Sequence, residues 1–191
     1  MKRGKLVIFC GPSGSGKGTI EKKFINEKKF NFHFSVSATT RKKRENEEDG
    51  KSYHFLSKET FEKWILEEKF LEWAKYTDNY YGTPIEPVEE MLSKGKNVFL
   101  EIEIIGVIEA INKIPDAITI FLSPPSIEVL EKRLTLRGTE SKKEITLRMQ
   151  RAKEEMKFAN NKKIFKYNVI NNDVNVVVEE IKDIISKEIL L

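Results

Sequence analysis

Short runs of β-branched and aromatic residues alternate along this chain with longer stretches whose apolar positions recur every three or four residues. The runs near 5–10, 32–36, 97–102, 117–122 and 167–170 predict strands. Helices are predicted immediately after the loop at 11–19 and over about 85–94, 104–113, 126–136, 143–160 and 174–188. In the last of these, Val177, Ile181, Ile184 and Ile185 recur at helical spacing among charges. The 143–160 segment sets Ile145, Met149, Ala152, Met156 and Ala159 on one face, a stripe that reads as core. Strand and helix patterns in alternation imply an α/β fold with a mostly parallel sheet.

Two stretches break that rhythm. Residues 37–84 are dense in aromatic, charged and hydroxyl side chains and hold little continuous apolar sequence. They predict an insertion of short strands with one helix around Lys58–Glu67. Residues 137–143 form a short polar break between two helices, suited to a mobile lid. The expected organisation is a core over 1–36 and 85–191, with a lid at about 134–148 and the insertion at 37–84.

The strongest chemical signal follows the first strand. Gly11, Pro12, Ser13, Gly14, Ser15, Gly16, Lys17, Gly18 and Thr19 lie between the run Leu6-Val7-Ile8-Phe9-Cys10 and a helical segment. Glycines at these spacings let successive N–H groups turn inward around phosphate oxygens, and the helix adds the positive end of its dipole. Lys17 supplies a mobile charge for a β- or γ-phosphate. Strand, Gly-x4-Gly-Lys and helix in that order mark a P-loop of the nucleoside-triphosphate-binding type. The common pattern has Ser or Thr directly after the lysine, as a hydroxyl for Mg²⁺. Here that place is Gly18, so Thr19 is expected on phosphate and the metal mainly on nucleotide oxygens and water.

Composition narrows the choice. The 191 residues fit one domain with a sizeable core, and 39% hydrophobic with 34% charged residues suits a globular protein. The net charge of +4 is modest, and basic residues are interleaved with acids, as in Arg41-Lys42-Lys43-Arg44-Glu45. Small anionic substrates account for that better than nucleic acid, which favours an unbalanced basic face. The single cysteine, Cys10, rules out an internal disulfide and reads as a small core residue. No apolar run approaches the ~18 residues of a membrane span. The cytoplasm is the expected compartment, with no nucleic-acid, membrane or protein partner and a monomer or weak dimer. His33 and His54 read as structural.

The insertion decides which phosphate chemistry is expected. Phe34-Ser35-Val36-Ser37-Ala38-Thr39-Thr40-Arg41 runs on to Arg44 and then Gly50-Lys51-Ser52-Tyr53-His54-Phe55. Phe70-Leu71-Glu72-Trp73 and Asn79-Tyr80-Tyr81-Gly82-Thr83 follow. Together with the phosphate loop, Gly95-Lys96, Pro124-Pro125-Ser126, Arg133-Leu134 and Arg137-Gly138-Thr139, this ordered set resembles guanylate kinase over nearly the whole chain. The resemblance implies a P-loop core, a nucleoside-monophosphate-binding insertion, a lid, and transfer of the γ-phosphoryl of ATP to GMP. By matching position it implies Arg41, Arg44, Tyr53 and Tyr81 on the GMP phosphate and Ser37, Glu72 and Thr83 on guanine. It also implies Arg133, Arg137 and Arg148 as lid arginines, with Arg137 and Arg148 contacting phosphates during transfer, and Asn171 at the adenine-side turn.

Elementary chemistry agrees with those roles. A monophosphate suits the planar fork of arginine, completed by tyrosine hydroxyls. Guanine offers N1–H and a 2-amino group beside an O6 acceptor, so a carboxylate at Glu72 matches both donors. Adenine lacks them and leaves that charge unpaired. The chain departs from the family in Glu101-Ile102-Glu103-Ile104-Ile105-Gly106, where two Asp and a Gln are usual. Glu103 is still expected on guanine or on water near the metal. Two other readings stay open: a non-catalytic interaction module of the same fold, and a kinase for another acceptor.

Overall fold

The computed structural model describes residues 2–24, 27–76, 78–136, 142–161 and 164–189. The chain divides into two compact units. The first comprises Met1–Leu6, Asn31–Leu100 and Ile105–Ala117; the second comprises Val7–Phe30, Glu101–Ile104 and Ile118–Leu191.

In the second unit, β1 (Leu6–Cys10), β8 (Ile118–Ser123) and β9 (Tyr167–Ile170) run parallel in the order β1-β8-β9. Val7 to Cys10 pair with Ile118 to Phe121, and Ile120 to Ser123 with Tyr167 to Ile170. Every residue of β1 is buried, so the strand reads as a continuous apolar run rather than an alternation. Helices α1 (Lys17–Phe24), α5 (Ile127–Leu136), α6 (Lys142–Asn161) and α7 (Val174–Ile189) complete the unit. Leu130 and Leu134 of α5 pack against Met149 and Ala152 of α6, which uses the stripe expected for that helix. Val177, Ile181, Ile184 and Ile185 of α7 are buried, as their spacing predicts.

The first unit holds a four-stranded sheet in the order β4-β3-β6-β5. Its strands are β3 (Ala38–Thr39), β4 (His54–Phe55), β5 (Phe70–Tyr76) and β6 (Asn79–Pro84). Helix α2 (Lys58–Leu66) starts at Ser57, whose hydroxyl accepts the Thr60 N–H, and covers this sheet with Phe61. The Phe61 ring stacks on Phe70 at 4.3 Å and on Tyr80 at 5.3 Å between centroids. Tyr80 is therefore packing, with its hydroxyl donating to Glu62. Strand β2 (Phe32–Phe34) runs parallel to β7 (Asn97–Glu101), and α3 (Ile85–Ser93) and α4 (Ile104–Lys113) fill out this part.

Strand and helix positions follow the hydrophobic pattern to within about two residues. The short strands β3 and β4, two residues each, are set by pairing with β6 and each other rather than by any local run. Among the described residues no helix is long and apolar enough to cross a membrane. Phe61→Ala removes a fully buried ring from two stacks and is expected to destabilise the fold by ~3–5 kcal/mol. Urea denaturation measures this; a loss under ~1 kcal/mol would show that the sheet closes over the gap.

Candidate active site

The phosphate loop leaves β1 and enters α1, at the C-terminal end of the parallel strands where α/β proteins bind ligands. Gly14 and Gly16 take φ of +89° and +101°, which side chains rarely adopt. A Cβ on Gly16 would also lie 2.4 Å from the Asn171 amide nitrogen. That amide donates to the Ser15 carbonyl at 2.7 Å, and Arg133 Nη1 donates to the same oxygen at 3.3 Å. Arg133 Nη2 reaches the Asn171 carbonyl at 3.0 Å. Arg148 Nη1 donates to Ser13 Oγ at 2.7 Å. Lys17, Ser13, Ser15, Arg133, Arg148 and Asn171 are thus brought together around one loop. Arg137, expected with them, lies outside the described residues, as does the 137–141 part of the expected lid.

Lys17 Nζ rests on the Gly11 carbonyl at 2.6 Å and stands 3.8 Å from Glu101 Oε1. Around it sit Glu21, Glu101, Glu103 and Glu155, a carboxylate crowd of which the sequence had marked Glu101 and Glu103, the second as a candidate site residue. Burial, then the Glu101 charge and a hydrogen bond to it, push the Glu21 carboxyl up to about 7. Burial, then the Glu103 charge, push Glu155 up to about 7. Burial raises Glu101 as well, against the opposing pull of Lys17. Cys10 behaves as the core residue expected, its thiol held protonated mainly by burial.

Whether this loop suits a magnesium nucleotide is answered by its own groups. Ser15 Oγ is buried with no hydrogen-bond partner among the described residues, and Lys17 and the loop glycines form an anion cradle. Thr19 and Gly18 are exposed on the first turn of α1. Among the described residues no group of His, Cys, Asp or Glu is arranged to hold a metal directly. The loop fits the phosphates of a nucleotide.

The first unit gathers the other candidate residues in two groups. On adjacent strands, Glu72 of β5 faces Thr83 of β6, and the Thr83 hydroxyl donates to Glu72 Oε1 at 2.6 Å. Ser37 Oγ lies 3.4 Å from Thr83 Oγ1. Thr83 has one proton, given to Glu72, so Ser37 is the donor in that contact. Glu72 is 5% exposed, a carboxylate deep in the wall. In the second group, Arg41 lies 5.4 Å from the Tyr53 ring, and the Tyr53 and Tyr81 rings are 6.2 Å apart. Glu47 was not foreseen. It takes both Arg41 nitrogens, at 2.7 and 2.9 Å, and the Arg44 N–H at 2.9 Å. These contacts hold its carboxyl down at about 2, with the Arg41 hydrogen bonds the largest cause. The spacing Arg41-x2-Arg44-x2-Glu47 was the available signal. Glu103, in the second unit, is exposed.

A phosphate loop of this geometry, with a lysine and two arginines at the loop, defines a P-loop nucleotide-binding protein. Its family follows from comparison with known proteins. The chain belongs to the guanylate kinase family, whose model matches residues 3–188. It is 44% identical over 187 residues to the guanylate kinase of Streptococcus thermophilus, covering 98% of this chain and 88% of that one. It is 45% identical over 186 residues to that of a Synechocystis species, covering 97% and 95%. The crystal structure of guanylate kinase from Anaplasma phagocytophilum superposes with a TM-score of 0.79 at 25% identity, over 100% of this chain and 89% of that one. The SH3-kinase fragment of tight junction protein 3 matches with a TM-score of 0.53 at 16% identity, over 98% and 57%, which shows the shared fold alone.

Glu21 carries a pH dependence. The folded chain keeps a proton to about pH 7 that the unfolded chain releases near 4.5, so this group lowers stability as pH rises through that window. Glu21→Gln is therefore expected to melt higher than the parent at pH 8, by a few degrees, with the gap closing at pH 4. Equal melting temperatures at pH 8 would show that Glu21 is charged in the fold at no cost.

Proposed function

We propose that this protein transfers the γ-phosphoryl group of ATP to GMP, and also to dGMP, giving ADP and the nucleoside diphosphate. The observation that carries this reading is the buried Glu72 carboxylate, held by Thr83 beside Ser37. Glu72 accepts from guanine N1–H and the 2-amino group while Thr83 fixes its orientation. With guanine bound, Ser37 turns its one proton from Thr83 to O6. Arg41, Arg44, Tyr53 and Tyr81 take the GMP phosphate. Glu47 occupies the Arg41 fork in this structure as a phosphate would, two oxygens on two nitrogens. Residues 37–84 form the acceptor-binding part, 1–36 and 85–191 the phosphate-loop core, and about 134–148 the lid.

The backbone N–H groups between Gly11 and Thr19, Pro12 having none, hold the ATP phosphates, and Lys17 leaves the Gly11 carbonyl for the transferring group. Arg148 and Arg137 offset charge on the phosphates during transfer; Arg133 and Asn171 keep the loop in shape beside the adenine turn. Magnesium bound with ATP would neutralise phosphate charge, its water shell ordered by the carboxylates near Lys17. Glu103 serves guanine or that water. The acceptor oxygen is already anionic, so positioning and charge neutralisation supply the catalysis and no general base is needed.

Coupled detection of ADP with GMP, dGMP, AMP, UMP and IMP at equal concentration tests the assignment. GMP and dGMP are expected to lead; preference for AMP would reject the guanine reading, and no product with any acceptor would leave a binding module. Lys17→Ala is expected to lower kcat by orders of magnitude with an unchanged circular dichroism spectrum. Glu103→Ala is expected to raise KM for GMP or lower kcat, and no change in either removes Glu103 from the site.

A further inference from the structure

Helix α4 lies along the strand that carries Glu72. A Cβ built on Gly106 would stand 2.2 Å from Glu72 Oε2, 2.9 Å from its Cδ and 3.1 Å from its Cγ. The carboxylate thus fills the space that a side chain at 106 would need. Glycine is a poor helix former, and this one lies in the first turn of α4, where local propensity gives no reason for it. One turn on, Glu109 Oε2 accepts the backbone N–H of Trp73 at 3.1 Å. A further turn on, Lys113 Nζ donates to the Phe70 carbonyl at 2.5 Å. Positions 106, 109 and 113 share one helical face, and their contacts bracket Glu72 on both sides along β5. The β5–β6 register shifts between Phe70 and Glu72, so strand pairing alone leaves this point loosely specified.

We propose that Gly106 and Glu109 are positioning residues that set guanine selectivity by fixing where the Glu72 carboxylate stands. Gly106 leaves the room, and Glu109 locks the backbone next to it. This rests on Glu72 being the guanine reader. A Cβ at 106 displaces the carboxylate and breaks its two-point match to N1–H and the 2-amino group. IMP has the first donor and lacks the second, so it reports the loss. GMP binding suffers more than IMP binding, and the preference narrows.

Steady-state kinetics of Glu72→Gln, Gly106→Ala, Glu109→Ala and Glu109→Gln with GMP and IMP, and with ATP varied separately, test the proposal. Gly106→Ala and Glu109→Ala are each expected to raise KM for GMP about tenfold and narrow the GMP-over-IMP ratio, with KM for ATP unchanged. Glu109→Gln keeps an acceptor oxygen for the Trp73 N–H and is expected to behave as the parent. Unchanged GMP KM and selectivity in Gly106→Ala and Glu109→Ala, or an equal rise in the ATP KM, overturns the proposal. If Gly106→Ala fails to fold, the two Glu109 variants decide alone by the same criteria. A Glu72→Gln protein with parental GMP kinetics instead removes the underlying guanine reading, so the two failures are told apart.

Discussion

One carbonyl organises the nucleotide loop. Ser15 presents its oxygen to the Asn171 amide and to Arg133, and Arg133 also grips the Asn171 carbonyl. Because the peptide is planar and trans, fixing that oxygen turns the Gly16 N–H the opposite way, away from both donors. The loop therefore keeps its shape through contacts from the end of β9 and from α5, neither of which is near it in sequence. Gly16 must lack a side chain for two reasons at once: its φ, and the Asn171 amide that would meet a Cβ.

Carboxylates are handled in two opposite ways in this chain. Around Lys17 they crowd one another, and burial leaves Glu21 and Glu155 titrating near neutrality. Such a crowd is unfavourable by itself and favourable once positive charge arrives, which suits a loop that receives a cation with its ligand. Glu72 and Glu47 are instead held by donors. Thr83 orients the first and the Arg41 guanidinium the second, each through a short hydrogen bond to the carboxylate.

The elements were legible from hydrophobic period alone, because β1, β7 and β8 are nearly uninterrupted apolar runs and the α6 and α7 stripes repeat at helical spacing. The insertion was readable as an insertion but not strand by strand. Pairs such as Ala38 with Gly82 and Thr39 with Tyr81 join residues too distant for any local pattern to signal. The candidate residues were named from motifs; those within the described residues lie around the phosphate loop or in two groups of the first unit, except that Glu103 stands exposed, and Arg137 lies outside the described residues.

The order and spacing of residues by themselves determined the α/β class and the phosphate loop. Those features are local, carried by backbone preferences and by residue chemistry at short separation. Tertiary structure alone decided that Glu47 partners Arg41, that Thr83 gives its proton to Glu72, and that Glu21 shares a partly buried site with Glu101. It also placed the Glu72 carboxylate where a Cβ at position 106 would lie 2.2 Å from Oε2. Each of these depends on pairing register and burial, which arise only when segments remote in the chain exclude water together.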